Sequence, residues 1–99
     1  MTPIQTDVPK SGVGYFHIEE GPDRVAEMEV EVIGNEMSVF HTEVAPVLEG
    51  KGVAKQLLET MVLYARQNNL KVKPLCPYVH AQFRRRPELY ADVWKKETV

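Results

Sequence analysis

One cysteine, Cys76, and one tryptophan, Trp94, are all that this 99-residue chain holds of those two types. A single thiol cannot close an internal disulfide, which excludes a disulfide-stapled secreted fold and suits a reducing compartment. Long apolar runs are missing too. Nothing approaches the roughly 20 residues of a membrane-spanning helix, and the opening Met1-Thr2-Pro3-Ile4-Gln5 lacks the apolar centre of a signal peptide. The expected location is therefore cytoplasmic, with no membrane partner. Positive charge is not in excess either: 12 Lys and Arg against 14 Asp and Glu leave a net charge of −2, the wrong sign for a protein that neutralises nucleic-acid phosphates. Finally, His17, His41, His80 and Cys76 fall at no spacing typical of a metal site, so no metal is expected.

What remains is ordinary for one globular domain, with 43% hydrophobic and 26% charged residues. Residues 1–12, with Pro3, Pro9, Ser11 and Gly12, read as a mobile lead-in, and 13–99 as a single domain. Alternation predicts a strand over Tyr15 to Glu19 and a stronger one from Val25 to Ile33, where Ala26, Met28, Val30 and Val32 oppose Glu27, Glu29 and Glu31. Gly34-Asn35 is a hairpin signal leading into a third strand, Met37 to Val44. The period then changes. Ala54, Leu57, Leu58, Met61, Val62 and Ala65 recur at helical steps, which predicts an amphipathic helix from Val53 to Gln67 closed by Asn68-Asn69. Alternation returns from Leu70 to Leu75, with Pro74 marking an edge or a divergence. Pro77 and Pro87 suit the first turns of two short helices, the last of them holding Leu89, Tyr90, Val93 and Trp94. The expected fold is α+β, with helices packed on a sheet.

Glycine gathers where the third strand hands over to the long helix, in Glu49-Gly50-Lys51-Gly52-Val53-Ala54-Lys55. The first N–H groups of a helix have no internal partner and sit at its positive end, so an anion such as a diphosphate is stabilised there. Lys51 and Lys55 add charge. The loop is no Walker motif, because the glycine spacing and the Ser or Thr for magnesium are lacking, and no dinucleotide fingerprint.

This loop resembles the coenzyme-A-binding motif of GNAT acetyltransferases, Q/R-x-x-G-x-G/A, with Glu49, Gly52 and Ala54 in the three defined positions and Glu49 departing from the usual first residue. More narrowly, Phe40-His41-Thr42-Glu43-Val44, Leu48 to Ala54, Pro74-Leu75-Cys76-Pro77-Tyr78-Val79 and Arg86-Pro87-Glu88 look like the short GNAT-like proteins of the YjdJ type. The resemblance covers about residues 13–94. It implies a mixed sheet in which antiparallel strands are joined, after the central helix, by a parallel strand that splays from its neighbour. Coenzyme A or acetyl-CoA would enter the gap, with Val44 pairing to pantetheine amides and Gly50, Lys51, Gly52, Val53, Ala54 and Lys55 receiving the pyrophosphate.

Amine acetylation needs a base, an oxyanion donor and an acid for the departing thiolate. The candidates are His41 as base, the Val44 N–H as oxyanion donor and Tyr78 as acid. Cys76 stands before a helix starting with Pro77, where a thiolate is favoured. It either takes part in chemistry, by accepting an acetyl group or lining the acyl pocket, or is packing, since cysteine is often buried. Arg84-Arg85-Arg86 forms either a solvated helix face or, through Arg84, a contact to the coenzyme's 3′-phosphate. The expected activity is N-acetyl transfer from acetyl-CoA to a small-molecule or protein amine, by a monomer or weak dimer. Two alternatives stand beside it: a non-catalytic coenzyme A or acyl-CoA-binding module, and a protein-interaction domain whose loop is only a turn.

Overall fold

The computed structural model describes residues 3–96. Five strands form one sheet in sequence order: β1 (Gln5–Asp7), β2 (Gly12–Glu20), β3 (Asp23–Ile33), β4 (Glu36–Val44) and β5 (Lys71–Pro74). The first four are antiparallel neighbours, whereas β5 lies parallel to β4 because α1 (Val53–Gln67) carries the chain back between them. Two short helices follow, α2 (Pro77–Arg85) and α3 (Pro87–Tyr90). The sheet is mixed and the class α+β.

One sheet face makes the core. Phe16, Met28, Val30, Val32, Met37 and Val39 are buried against Leu57, Leu58, Met61, Val62 and Ala65 of α1 and Val79 and Phe83 of α2. The helical stripe starts one residue earlier than the pattern suggests: Val53 is buried, while Ala54 stays partly exposed beside the entrance loop. Asn69 adopts a φ of 54° after the helix, and the Leu70 N–H closes the last turn on the Ala65 carbonyl at 2.9 Å.

The lead-in expectation is corrected at β1. Gln5, Thr6 and Asp7 pair with His17, Phe16 and Tyr15, a strand that its exposed polar side chains concealed. Its anchor is His17, buried at 3% exposure, with Nε2 on the Asp7 carboxylate and Nδ1 2.7 Å from Glu19. Gly14 permits the approach. A Cβ there would lie 2.6 Å from the Asp7 carbonyl oxygen and 2.7 Å from Val8 Cα. Gly14→Ala is accordingly expected to destabilise the fold by about 1–3 kcal/mol in chemical denaturation, because backbone rather than a flexible side chain must yield.

A second correction falls at the C-terminal end. The helical turn stops at Tyr90, and Trp94 instead forms a parallel bridge with Val72, whose N–H and carbonyl bond Val93 and Lys95. Pro74 ends β5 at the point where that strand leaves β4.

The feature that positions the site is a bulge in β4. Val39 pairs with Val30 and His41 with Glu29, so Phe40 has no opposite residue. Side chains alternate faces along a strand, and one extra residue inverts the alternation beyond it. Met37 and Val39 face the core, yet so do Thr42 and Val44, opposite Met28 and Ala26, while His41 and Glu43 join Glu29 and Glu27 on the far face.

Candidate functional site

The parallel ladder runs from Glu36 and Lys71 to Val39 and Pro74, and the Cys76 N–H extends it with a 2.8 Å bond to the Val39 carbonyl. The Leu75 N–H then turns back to the Lys73 carbonyl, and the chain leaves the sheet into α2. Beyond this point, among the described residues, His41 to Val44 pair with β3 alone. The two strands therefore part beside Cys76. Cys76 is 2% exposed, and its Sγ lies 3.5 Å from Thr42 Oγ1. The bulge brings Thr42 there, a partner that the alternation of the sequence assigns to the other face.

Between β4 and α1 lies the loop. Pro46–Leu48 form a single 3-10 turn, Gly50 has φ 76°, and Gly52, with φ 74°, is the N-cap of α1. Both glycines hold a left-handed backbone that side-chain-bearing residues resist. Among the described residues the N–H groups of Gly50 to Lys55 donate to no other backbone group, no side chain caps the helix, and the first helical bond is Gln56 N–H to the Gly52 carbonyl at 3.1 Å. A Cβ on Gly50 or Gly52 would meet no protein atom within 4 Å. Bare donors, a helix dipole and open space above two glycines fit a diphosphate.

A depression of about 250 Å³ gathers Val44, Leu48, Glu49, Gly50, Gly52, Val53, Ala54, Lys55 and Tyr78. Of the residues proposed from sequence, it assembles most of the coenzyme set with the candidate acid Tyr78. Lys51 is exposed and does not line it; Arg84, exposed in the last turn of α2, does not line it either. Burial, followed by the neighbouring Tyr90 and Cys76, raises the Tyr78 pKa above its usual value. Leu48 in the lining belongs to a segment that carried the family resemblance, but it was not singled out as a contact residue.

His41 is set apart from Cys76 and Tyr78 by the sheet itself. It shares the uncovered face with Glu27, whose carboxylate is 3.0 Å from His41 Nε2, and with Glu29, 3.5 Å from Nδ1. The Glu27 hydrogen bond is the main cause of a raised His41 pKa, assisted by the charges of Glu29 and Glu43 and opposed by partial burial. These carboxylate partners were legible as a row of alternating glutamates, but not as partners of this histidine. No helix among the described residues is long and apolar enough to cross a membrane.

Comparison with known proteins agrees with this fold. Over 98% of its length the chain superposes on a GCN5-like protein from Staphylococcus aureus, covering 91% of that chain with 28% identity and a TM-score of 0.68. The fold also matches the ribosomal-protein-alanine N-acetyltransferase of Brucella melitensis biovar Abortus 2308 (TM-score 0.61, 18% identity, 89% of this chain and 65% of that one). A third match is the ribosomal-protein-S18-alanine N-acetyltransferase of Escherichia coli (TM-score 0.55, 18% identity, 61% and 39%). The chain thus spans less than two thirds of the length of either ribosomal-protein enzyme. A search of curated protein sequences gave no match. The family model for GCN5-related N-acetyltransferases matches residues 15–93, which take in β2, the parting strands, the glycine loop and α2, and the chain belongs to that family.

Proposed function

We propose that this protein is an N-acetyltransferase that takes its acyl group from acetyl-CoA and passes it to an amine. The observation that carries the reading is the run of N–H groups from Gly50 to Lys55 that, among the described residues, donate to no backbone group, in a loop that shares a depression with Val44 of β4 and Tyr78 of α2. The pyrophosphate sits on those amides, and the pantetheine arm adds to the free edge of β4 near Val44 as a strand would. Thioester and amine then meet between the strands. The amine nitrogen attacks the carbonyl carbon, the C–N bond forms, the C–S bond breaks, and the sulfur departs as thiolate. Val44 N–H is the donor proposed for the developing oxyanion. Tyr78 supplies a proton to the sulfur, a role supported by its place in the loop depression and its raised pKa, which keeps the phenol protonated at neutral pH. The bulge puts His41 on the opposite sheet face, out of reach of the reacting nitrogen, so the amine's proton passes to solvent rather than to His41.

A second reading, a module that holds coenzyme A or acyl-CoA without efficient turnover, is favoured by the small size of the depression. At about 250 Å³ it falls below the usual range of about 300–1,000 Å³ for ligand pockets. Incubation with acetyl-CoA and a panel of amines, followed by mass spectrometry, separates the two. Acetylated amine formed faster with protein than without supports the enzyme; coenzyme binding with no product supports the module; no binding of coenzyme A at millimolar concentration overturns both.

The same experiment resolves Cys76. If the thiol is an acyl acceptor, intact mass shows an acetyl adduct that Cys76→Ala removes. A thiol that only lines the pocket gives no adduct, and an adduct that survives the substitution lies elsewhere.

A further inference from the structure

The spacing of histidines and cysteine along the chain gives no metal motif, but the β4 bulge creates a donor set that spacing does not reveal. Glu27 and Glu43 are directly opposed across β3 and β4, and His41 precedes Glu43 by two residues on the same face. One donor atom from each of Glu27, His41 and Glu43 lies within 4.8 Å of the others. We propose that these three residues form a binding site for one divalent transition-metal ion, with Zn²⁺ the best fit.

The donor chemistry carries the choice of ion. An imidazole nitrogen with two carboxylate oxygens suits zinc, which binds His N and Glu O at about 2.0–2.2 Å, and is a poor set for calcium or magnesium, which take oxygen. Ligands on one zinc are about 3.4 Å apart at those bond lengths, so donors that lie within 4.8 Å of one another must close by at most about 1.4 Å. Glu43 is exposed and free to rotate inward. The surroundings are those of a metal-binding histidine. With Nε2 directed at Glu27, the other ring nitrogen, Nδ1, faces the Glu29 carboxylate, and Glu29 in turn accepts a 2.9 Å hydrogen bond from Tyr15 Oη. Such a carboxylate behind the ring fixes its orientation and raises its basicity toward the ion. The Arg24 guanidinium, 3.4 Å from the second Glu27 oxygen, orients that carboxylate. The register supplies a separate reason for a cation here. Like charges directly opposite on paired strands repel, and Glu27 and Glu43 hold that position with Glu29 beside them, against the single fixed positive charge of Arg24, which Glu19 shares.

The site shares no residue with the glycine loop, so it does not depend on coenzyme binding. Ion binding uses the His41 lone pair on the sheet face away from Cys76 and Tyr78. Calorimetric titration of the metal-free full-length chain with ZnCl₂ should give one ion per chain, with affinity at least tenfold weaker in both His41→Gln and Glu43→Gln and unchanged in His80→Gln. Far-UV circular dichroism checks that the variants fold. Independently, Co²⁺ added to the wild-type chain should perturb the amide resonances of residues 27–29 and 41–43 most strongly. The proposal is overturned by the absence of zinc binding at millimolar concentration, by unchanged affinity in His41→Gln or Glu43→Gln, or by Co²⁺ effects centred on His17, Cys76 or His80.

Discussion

Gly52→Leu is expected to abolish stabilisation by coenzyme A while leaving a cooperative fold. Saturating ligand at about 100 times its Kd adds roughly 2.7 kcal/mol to the native state, and for a domain of this size each kcal/mol moves Tm by roughly 4–8 °C. The wild-type chain should therefore melt roughly 10–20 °C higher with coenzyme, and the variant at the same temperature with or without it. The substituted side chain meets no protein atom near its Cβ, so its effect on the free protein comes from the left-handed backbone at φ 74° and amounts to only about 1–2 kcal/mol. Its larger expected effect is to occupy the space through which the proposed diphosphate would reach the amides of Val53 and Ala54. A coenzyme-dependent rise in Tm that persists in Gly52→Leu would remove the phosphate site from the proposal.

Phe83→Ala is expected to cost about 3–5 kcal/mol, a large part of the roughly 5–15 kcal/mol that holds a small domain together. Phe83 is fully buried, stacked on Tyr90 with ring centroids 4.6 Å apart and edge-on to Trp94 at 5.7 Å. Removing the ring leaves a cavity among three elements at once: α2, α3 and the segment that bridges Val72. Chemical denaturation should show a lower midpoint at unchanged m-value, and Phe83→Leu, which refills most of the volume, should lose much less. The consequence reaches the site, because α2 carries Tyr78 and starts at Cys76. A loss below about 1 kcal/mol in Phe83→Ala would show that α2 is not held by this aromatic cluster.

Much of this arrangement was legible in the chain. The alternation from Val25 to Ile33 identified the buried face of β3 because each side chain's polarity there records a local choice between core and water. The helix from Val53 to Gln67 was legible for the same reason at a different period, and the glycines at 50 and 52 marked a backbone that only they adopt readily. β1 was not legible. Its three residues bury no apolar side chain of their own, and the reason they pair is distant: a buried imidazole at His17 and a bare Gly14 ten and seven residues beyond Asp7. Trp94 was misplaced because a bulky aromatic fits a helix face and an added strand equally well.

The sequence by itself determined β3, the helix α1 with its core stripe and the glycine-bearing entrance to that helix, since each follows from interactions between residues a few positions apart. Only the tertiary structure decided which face His41, Thr42, Glu43 and Val44 occupy. One unpaired residue, Phe40, shifts the β3–β4 register, and that shift arises from hydrogen bonds between strands rather than from any property of the residues it moves. It sends Thr42 to Cys76 and His41 to Glu27. A pattern read along one strand cannot contain it, because the bulge exists only in relation to the strand beside it.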